Sequence, residues 1–149
     1  MERYQKLERI VVDASVAVKW FVPEKDSDKA LKLRELYLKG SLEIIAPTLI
    51  YYEVANALRF HPYYKLSQTE LLRAVTILKN MQIAVEPTAK AWSNAFEISF
   101  LNNVSIYDAI YLAVSKLFNT KLVTSDRIMF EKLDSISKKS VSLLGDAIF

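Results

Sequence analysis

The chain has 149 residues, 52% of them hydrophobic, with 20 Lys and Arg against 17 Asp and Glu for a net charge of +3 and a pI near 9.0. Such a length and composition argue against disorder and predict one globular domain over residues 1–149, able to bury roughly two thirds of its unfolded surface. The lack of any Cys excludes disulfides, zinc thiolates and thiol nucleophiles, a lone His excludes histidine-rich metal sites, and two Gly with no GxxxxGK or GxGxxG exclude the usual nucleotide-phosphate loops.

The leading stretch MERYQKLER is charged and lacks the apolar run of a secretory signal. No apolar segment approaches the ~18 residues of a spanning helix, so a soluble cytoplasmic protein without a membrane contact is expected. Strand RIVV, Arg9 to Val12, ends at Asp13, and ASVAVKWFV continues as helix until Pro23. Asp26 and Ser27 cap a second helix to about Lys39, with Gly40 as its stop, and EIIA is a strand before Pro47. TLIYYEVANALRF, from Thr48, is a helix ended by Pro62. Ser67 and Glu70 form a capping box for a helix to about Asn80, and Ile83 to Glu86 is a strand. Thr88 caps AKAWSNAFEISFL, Ser105 opens IYDAIYLAVSKLF, and KLVTSD is a strand ending at Asp126. Asp134 to Ser140 reads as a turn region and SVSLL as a last strand. Strands alternating with helices predict a three-layer α/β/α sandwich with a mostly parallel central sheet, whose ligands bind beyond the carboxyl ends of the strands.

Four acids fall where such a sheet gathers side chains. Asp13 follows the first apolar strand, Glu53 sits among Ile50, Tyr51, Tyr52 and Val54, Asp108 lies on a deeply apolar helix, and Asp126 closes a strand. Each has a plain structural alternative: an N-cap for Asp13, a solvated helical face for Glu53, an SxxD cap with Ser105 for Asp108, a turn residue for Asp126. Together they suit a hard divalent cation, Mg²⁺ or Mn²⁺, because oxygen ligands around such an ion cluster without mutual repulsion. Asn56 shares a helical face with Glu53 and is placed to orient it or to touch substrate, and Thr124 projects to the side of Asp126. His61 before Pro62 reads as a helix-end residue, Trp20 as core, Lys19 as a snorkelling cation within reach of phosphate, and the Tyr63-Tyr64-Lys65 cluster as stacking or dimer-packing surface.

IVVDASVAVKW, APTLIYYEVANAL, SIYDAIYLAVS and LVTSD, in that order, with 40, 55 and 18 residues between successive acids, resemble the PIN-domain ribonucleases, above all the toxins of VapBC-type toxin–antitoxin pairs. The resemblance covers Ile10 to Asp126 and leaves Met1 to Glu8 outside the motifs. It implies a metal-dependent endoribonuclease with Asp13, Glu53, Asp108 and Asp126 around Mg²⁺ or Mn²⁺ and with Ser15 and Thr124 as supporting hydroxyls. It also implies an RNA substrate, a homodimer and a VapB-like antitoxin whose basic segment enters the acidic cleft. A non-catalytic RNA-binding or regulatory module of the same fold, and a metal-dependent phosphohydrolase acting on DNA or a small phosphoester, remain as alternatives at this stage.

Overall fold

A computed structural model describes residues 7–147; most of the charged leading stretch read above, Met1 to Lys6, lies outside the described residues. The chain runs β1 (Arg9–Val12), α1 (Ala14–Ala17), α2 (Ser27–Leu38), β2 (Glu43–Pro47), α3 (Leu49–Arg59), α4 (Gln68–Asn80) and β3 (Ala84–Val85), then α5 (Ala89–Asn102), α6 (Ile106–Leu117), β4 (Lys121–Thr124), α7 (Arg127–Lys132), α8 (Ser135–Lys138) and β5 (Val141–Leu143). The five strands form one sheet in the order β3-β2-β1-β4-β5, every pairing parallel. Its centre is β1, whose Val11 faces Ile45 on one side and Leu122 on the other. RIVV suits that position: a parallel strand covered on both faces is a continuous apolar run, and Val11 and Val12 are fully buried.

From β1 the chain steps outward through β2 to β3, then returns across the sheet to β4 and β5. Helices cover both faces of the sheet, as its buried central strand requires, giving the three-layer sandwich expected. The reversal falls between β1 and β4, and open sheets of this class bind ligands in the crevice at that switch. Helix α6 packs across β1, β2 and β4. Every residue from Ala109 to Ser115 is buried, so the helix is apolar all round beyond its first turn.

Local signals account for the element ends. Ser67 and Glu70 complete the capping box of α4 in both directions, Thr88 accepts the Ala91 N–H, and Ser105 accepts the Asp108 N–H. After α2, Gly40 takes φ 75 and the Ser41 N–H reaches the Leu36 carbonyl, a Schellman ending. Three expectations change. The first helix stops at Ala17 and tightens into a 3-10 turn, Val18–Trp20, where the Trp20 indole donates to the Ala30 carbonyl and locks the turn against α2. The strand read from Ile83 to Glu86 pairs only at Ala84 and Val85, where the Ala46 and Thr48 amides donate to the Ile83 and Val85 carbonyls, and Pro87 follows at once. The segment read as a turn holds α8, capped by the Asp134 carboxylate on the Ser137 N–H, and α7 precedes it. No helix among the described residues is long and apolar enough to cross a membrane.

Leu112 is fully buried on α6, where that helix meets the sheet. Leu112→Ala is expected to lower the unfolding free energy by about 2–5 kcal/mol in a denaturant titration, the usual range for a truncated core leucine.

Candidate active site

Asp13 begins where β1 ends and is 7% exposed at the carboxyl edge of the sheet. Its backbone occupies the N-cap position of α1, where the Val16 N–H goes to the Asp13 carbonyl at 3.2 Å and the carboxylate makes no capping hydrogen bond of its own. Both oxygens are engaged by hydroxyls instead: Ser15 donates to Oδ1 and Thr124, at the end of β4, donates to Oδ2. Each hydroxyl accepts a backbone N–H from the turn after β4, Ser15 from Ser125 at 2.8 Å and Thr124 from Asp126 at 3.0 Å. Two parallel relays therefore run from that turn onto one carboxylate and tie β1 to β4 at the switch. Burial dominates the titration of Asp13 and pushes it from 3.8 up to about 6; the hydroxyls and the Val16 amide pull it down, and nearby Asp108 pushes it further up.

Glu53 arrives on α3, half-buried, and accepts the Tyr111 hydroxyl at 2.7 Å on Oε1. Burial raises its carboxyl above the ordinary value, Tyr111 lowers it, and Asp108 raises it again. Asp108 sits in the first turn of α6, where Ser105 caps the helix through the Asp108 backbone N–H. Its carboxyl is likewise raised, by burial first and then by Asp126, with the Ser105 hydroxyl and Lys132 acting against them. Asp126 caps α7 by accepting the Met129 N–H at 2.9 Å on Oδ1. Asp108 is thus the common neighbour: its charge acts on Asp13 and Glu53, and that of Asp126 acts on it.

A cleft of about 670 Å³ opens beside these groups, with Ser15, Glu53, Asn56, Tyr107 and Ser125 on its wall. Exposed Asn56 follows Glu53 on the same helical face, as the spacing predicts. Thr124 is fully buried and Asp13 nearly so. Asp108 and Asp126 are not on the cleft wall, although their chain neighbours Tyr107 and Ser125 are.

Two residues of the site escaped the sequence reading. Tyr111, 2% exposed, lies one helical turn after Asp108, and its hydroxyl is held far above its usual range by burial and then by Glu53. A phenol on an otherwise apolar buried helix must find a polar partner, which was the available signal. Ser125 has no local signal, yet among the described residues its Oγ is a buried side-chain atom without a hydrogen-bond partner.

The donor set is hard oxygen throughout, its carboxyls are raised in part by one another, and an orphaned hydroxyl adjoins them; all three suit a small divalent cation. Among the described residues no three acids stand close enough to grip one ion by themselves. That openness fits Mg²⁺ or Mn²⁺, since Mg²⁺ usually retains several waters and takes one or two carboxylates plus substrate phosphate in place of a closed protein cage.

The PIN domain family model matches residues 10–136. Ribonuclease VapC3 of Pyrobaculum aerophilum is 31% identical over 136 residues, covering 86% of this chain and 97% of that protein. The fold superposes on the Mycobacterium tuberculosis VapC20 structure, a Sarcin-Ricin loop cleaving toxin, with a TM-score of 0.61 and 17% identity over 80% of this chain and 92% of that one. It superposes on VapBC2 from Rickettsia felis, solved bound to a DNA fragment from their promoter, with a TM-score of 0.66 and 11% identity over 91% and 98%. At these identities the structural likeness establishes the fold.

Because folding raises the Asp13 pKa from 3.8 to about 6, the native state holds this proton more tightly than the unfolded chain does. The resulting penalty is absent below about pH 4, grows as pH rises through this interval, and is complete above about pH 6, reaching on the order of 3 kcal/mol. In chelator, Asp13→Asn is expected to melt above the wild type at pH 7 and to converge on it near pH 4. A difference in melting temperature that stays constant across pH 4–8 contradicts a buried carboxylate as the cause.

Proposed function

The chain belongs to the PIN-domain family, and from that membership we propose that it is a metal-dependent endoribonuclease, the toxin of a toxin–antitoxin pair. The observation that supports this reading is the pair of hydrogen-bonded ties at the carboxyl edge of the sheet: Thr124 joins Asp13 to the turn that carries Asp126, and Tyr111, one helical turn after Asp108, joins Glu53 to α6. Residues 1–149 act as one nuclease unit in the cytoplasm.

Asp13, Asp108 and Asp126, with Glu53, would hold Mg²⁺ or Mn²⁺ jointly with water and a substrate phosphate, and such a cation would supply acidification of the attacking water and charge to offset that building on the phosphodiester. Ser15 and Thr124 fix the Asp13 carboxylate in one orientation, and Tyr111 does the same for Glu53. With Oε1 occupied by Tyr111, Oε2 of Glu53 takes the proton of the attacking water, a task that its raised affinity for protons suits. Asn56, on the cleft wall beside Glu53, contacts the RNA strand. The same concentration of negative charge makes the cleft a seat for a basic segment of an antitoxin, and the active form is a homodimer.

Purified protein is expected to cut RNA in Mn²⁺ or Mg²⁺ and to stop in chelator. Asp108→Asn should lower the rate at least about a hundredfold, and Tyr111→Phe, which leaves the acids in place, about tenfold, as is usual for partners that orient metal ligands. Mn²⁺ should raise the melting temperature of the wild type saturably, by the equivalent of about 2.7 kcal/mol at a hundredfold excess over the dissociation constant, and fail to do so for Asp108→Asn. A folded wild type that cuts no RNA in either ion overturns the proposal.

A further inference from the structure

Beyond the carboxylates, one charged side chain of the cleft has no task in the chemistry above. Lys19, in the 3-10 turn after α1, is 8% exposed. It lines three hollows at once: the central cleft, a hollow of about 420 Å³ where Lys25 and Arg127 stand with Asp26 and Asp146, Arg127 lying 3.6 Å from the Asp146 carboxylate, and one of about 440 Å³ walled by Tyr63 and Tyr64. Ser125 joins the first two. A buried ammonium is costly unless paired, and among the described residues its hydrogen-bond partner is Glu24 Oε1 at 3.4 Å. That is long beside the 2.7–2.9 Å typical of a charge-assisted bond and engages one of three N–H donors.

Glu24 is itself held more firmly elsewhere. His61, 3% exposed, accepts the backbone N–H groups of Tyr63 and Tyr64 on Nδ1, each at 3.2 Å. Since those groups only donate, the ring carries its proton on Nε2 and donates it to Glu24 Oε2 at 2.8 Å. The neutral imidazole thereby fixes Glu24, and Glu24 steadies Lys19 without consuming it. Apart from this long contact with Glu24, the Lys19 ammonium faces the hollows that it lines.

We propose that Lys19 seats a backbone phosphate of the bound RNA strand, next to rather than at the carboxylates, with Glu24 and His61 as the residues that position its ammonium. This rests on the ribonuclease reading. A polyanion entering an acidic cleft needs an attractive charge there, and Lys19 supplies it where the cleft adjoins the hollow that Lys25 and Arg127 share with Asp26 and Asp146. The exposed rings of Tyr52 and Tyr107 on the central cleft, and of Tyr63 beyond Lys19, offer stacking faces for unpaired bases.

The test is fluorescence anisotropy of a single-stranded RNA oligonucleotide with the full chain in chelator, from 50 to 300 mM KCl, alongside cleavage of the same RNA in Mn²⁺. Lys19→Met, of similar length and apolar, is expected to weaken binding about tenfold and to reduce the slope of log affinity against log salt by about 0.7, the contribution of one phosphate on a single strand. Lys19→Arg should keep the slope. Glu24→Gln, which turns an amide N–H against the Lys19 ammonium or the His61 N–H and so loosens the side chain it steadied, should weaken binding and keep the wild-type salt slope, a result that does not depend on how Lys19→Met folds. A folded Lys19→Met with wild-type slope and affinity, or a Glu24→Gln that binds as tightly as wild type or tighter, overturns the phosphate seat and leaves the ribonuclease reading standing if the RNA is still cut. Binding that depends on Lys19 without cleavage in Mn²⁺ or Mg²⁺ does the reverse, and a wild type that binds no RNA overturns the seat.

Discussion

The structure turns on the placement of a carboxylate, Asp13, at the end of a strand that is otherwise among the most deeply buried segments of the chain. An ionised acid there is unfavourable unless hydrogen bonds reach both oxygens, and the fold supplies them from two directions, Ser15 on the helix that follows and Thr124 on the neighbouring strand. Because Thr124 comes from β4, those bonds also cross the point where the sheet reverses its chain order. The adjacency of β1 and β4, the packing of α6 beneath both and the nearness of Asp108 to Asp13 belong to one arrangement.

The contest between a structural and a chemical role for each acid resolves differently from residue to residue. Capping α7 engages Oδ1 of Asp126 and leaves Oδ2 free for the proposed cation. At Asp108 the capping atom is the Ser105 hydroxyl, and the helix takes only the aspartate's backbone N–H, so the SxxD pattern does not consume the carboxylate. Acids also stand well at helix N-termini, where the peptide dipoles favour negative charge, which eases the repulsion that a cluster of carboxylates creates. Glu53 has no such help in the middle of α3 and depends on Tyr111.

Much of this was legible in the sequence because the signals were local. A β-branched run followed by Asp marked β1 and Asp13; Ser67 with Glu70, Thr88 and Ser105 marked helix starts to the residue; and order and spacing marked the four acids and the parallel sheet. What was not legible depended on partners distant in the chain. The early end of α1 follows from Trp20 reaching α2, and β3 is only as long as its pairing with Ala46 and Pro47 of β2. The helices α7 and α8 are too short for periodicity to reveal. The hydroxyl of Tyr111 looked like one more aromatic in an apolar helix until Glu53, 58 residues away, met it.

The order of the strands has a consequence in time. During synthesis β1 gains β2 as a neighbour early, while its other edge stays unpaired until β4 is made, more than a hundred residues after Asp13. Until then Asp13 lacks Thr124 and the centre lacks Asp126, so an elongating chain holds no complete set of acids however well its first half has folded. On the proposed site, the four acids come together only once β4 has docked beside β1.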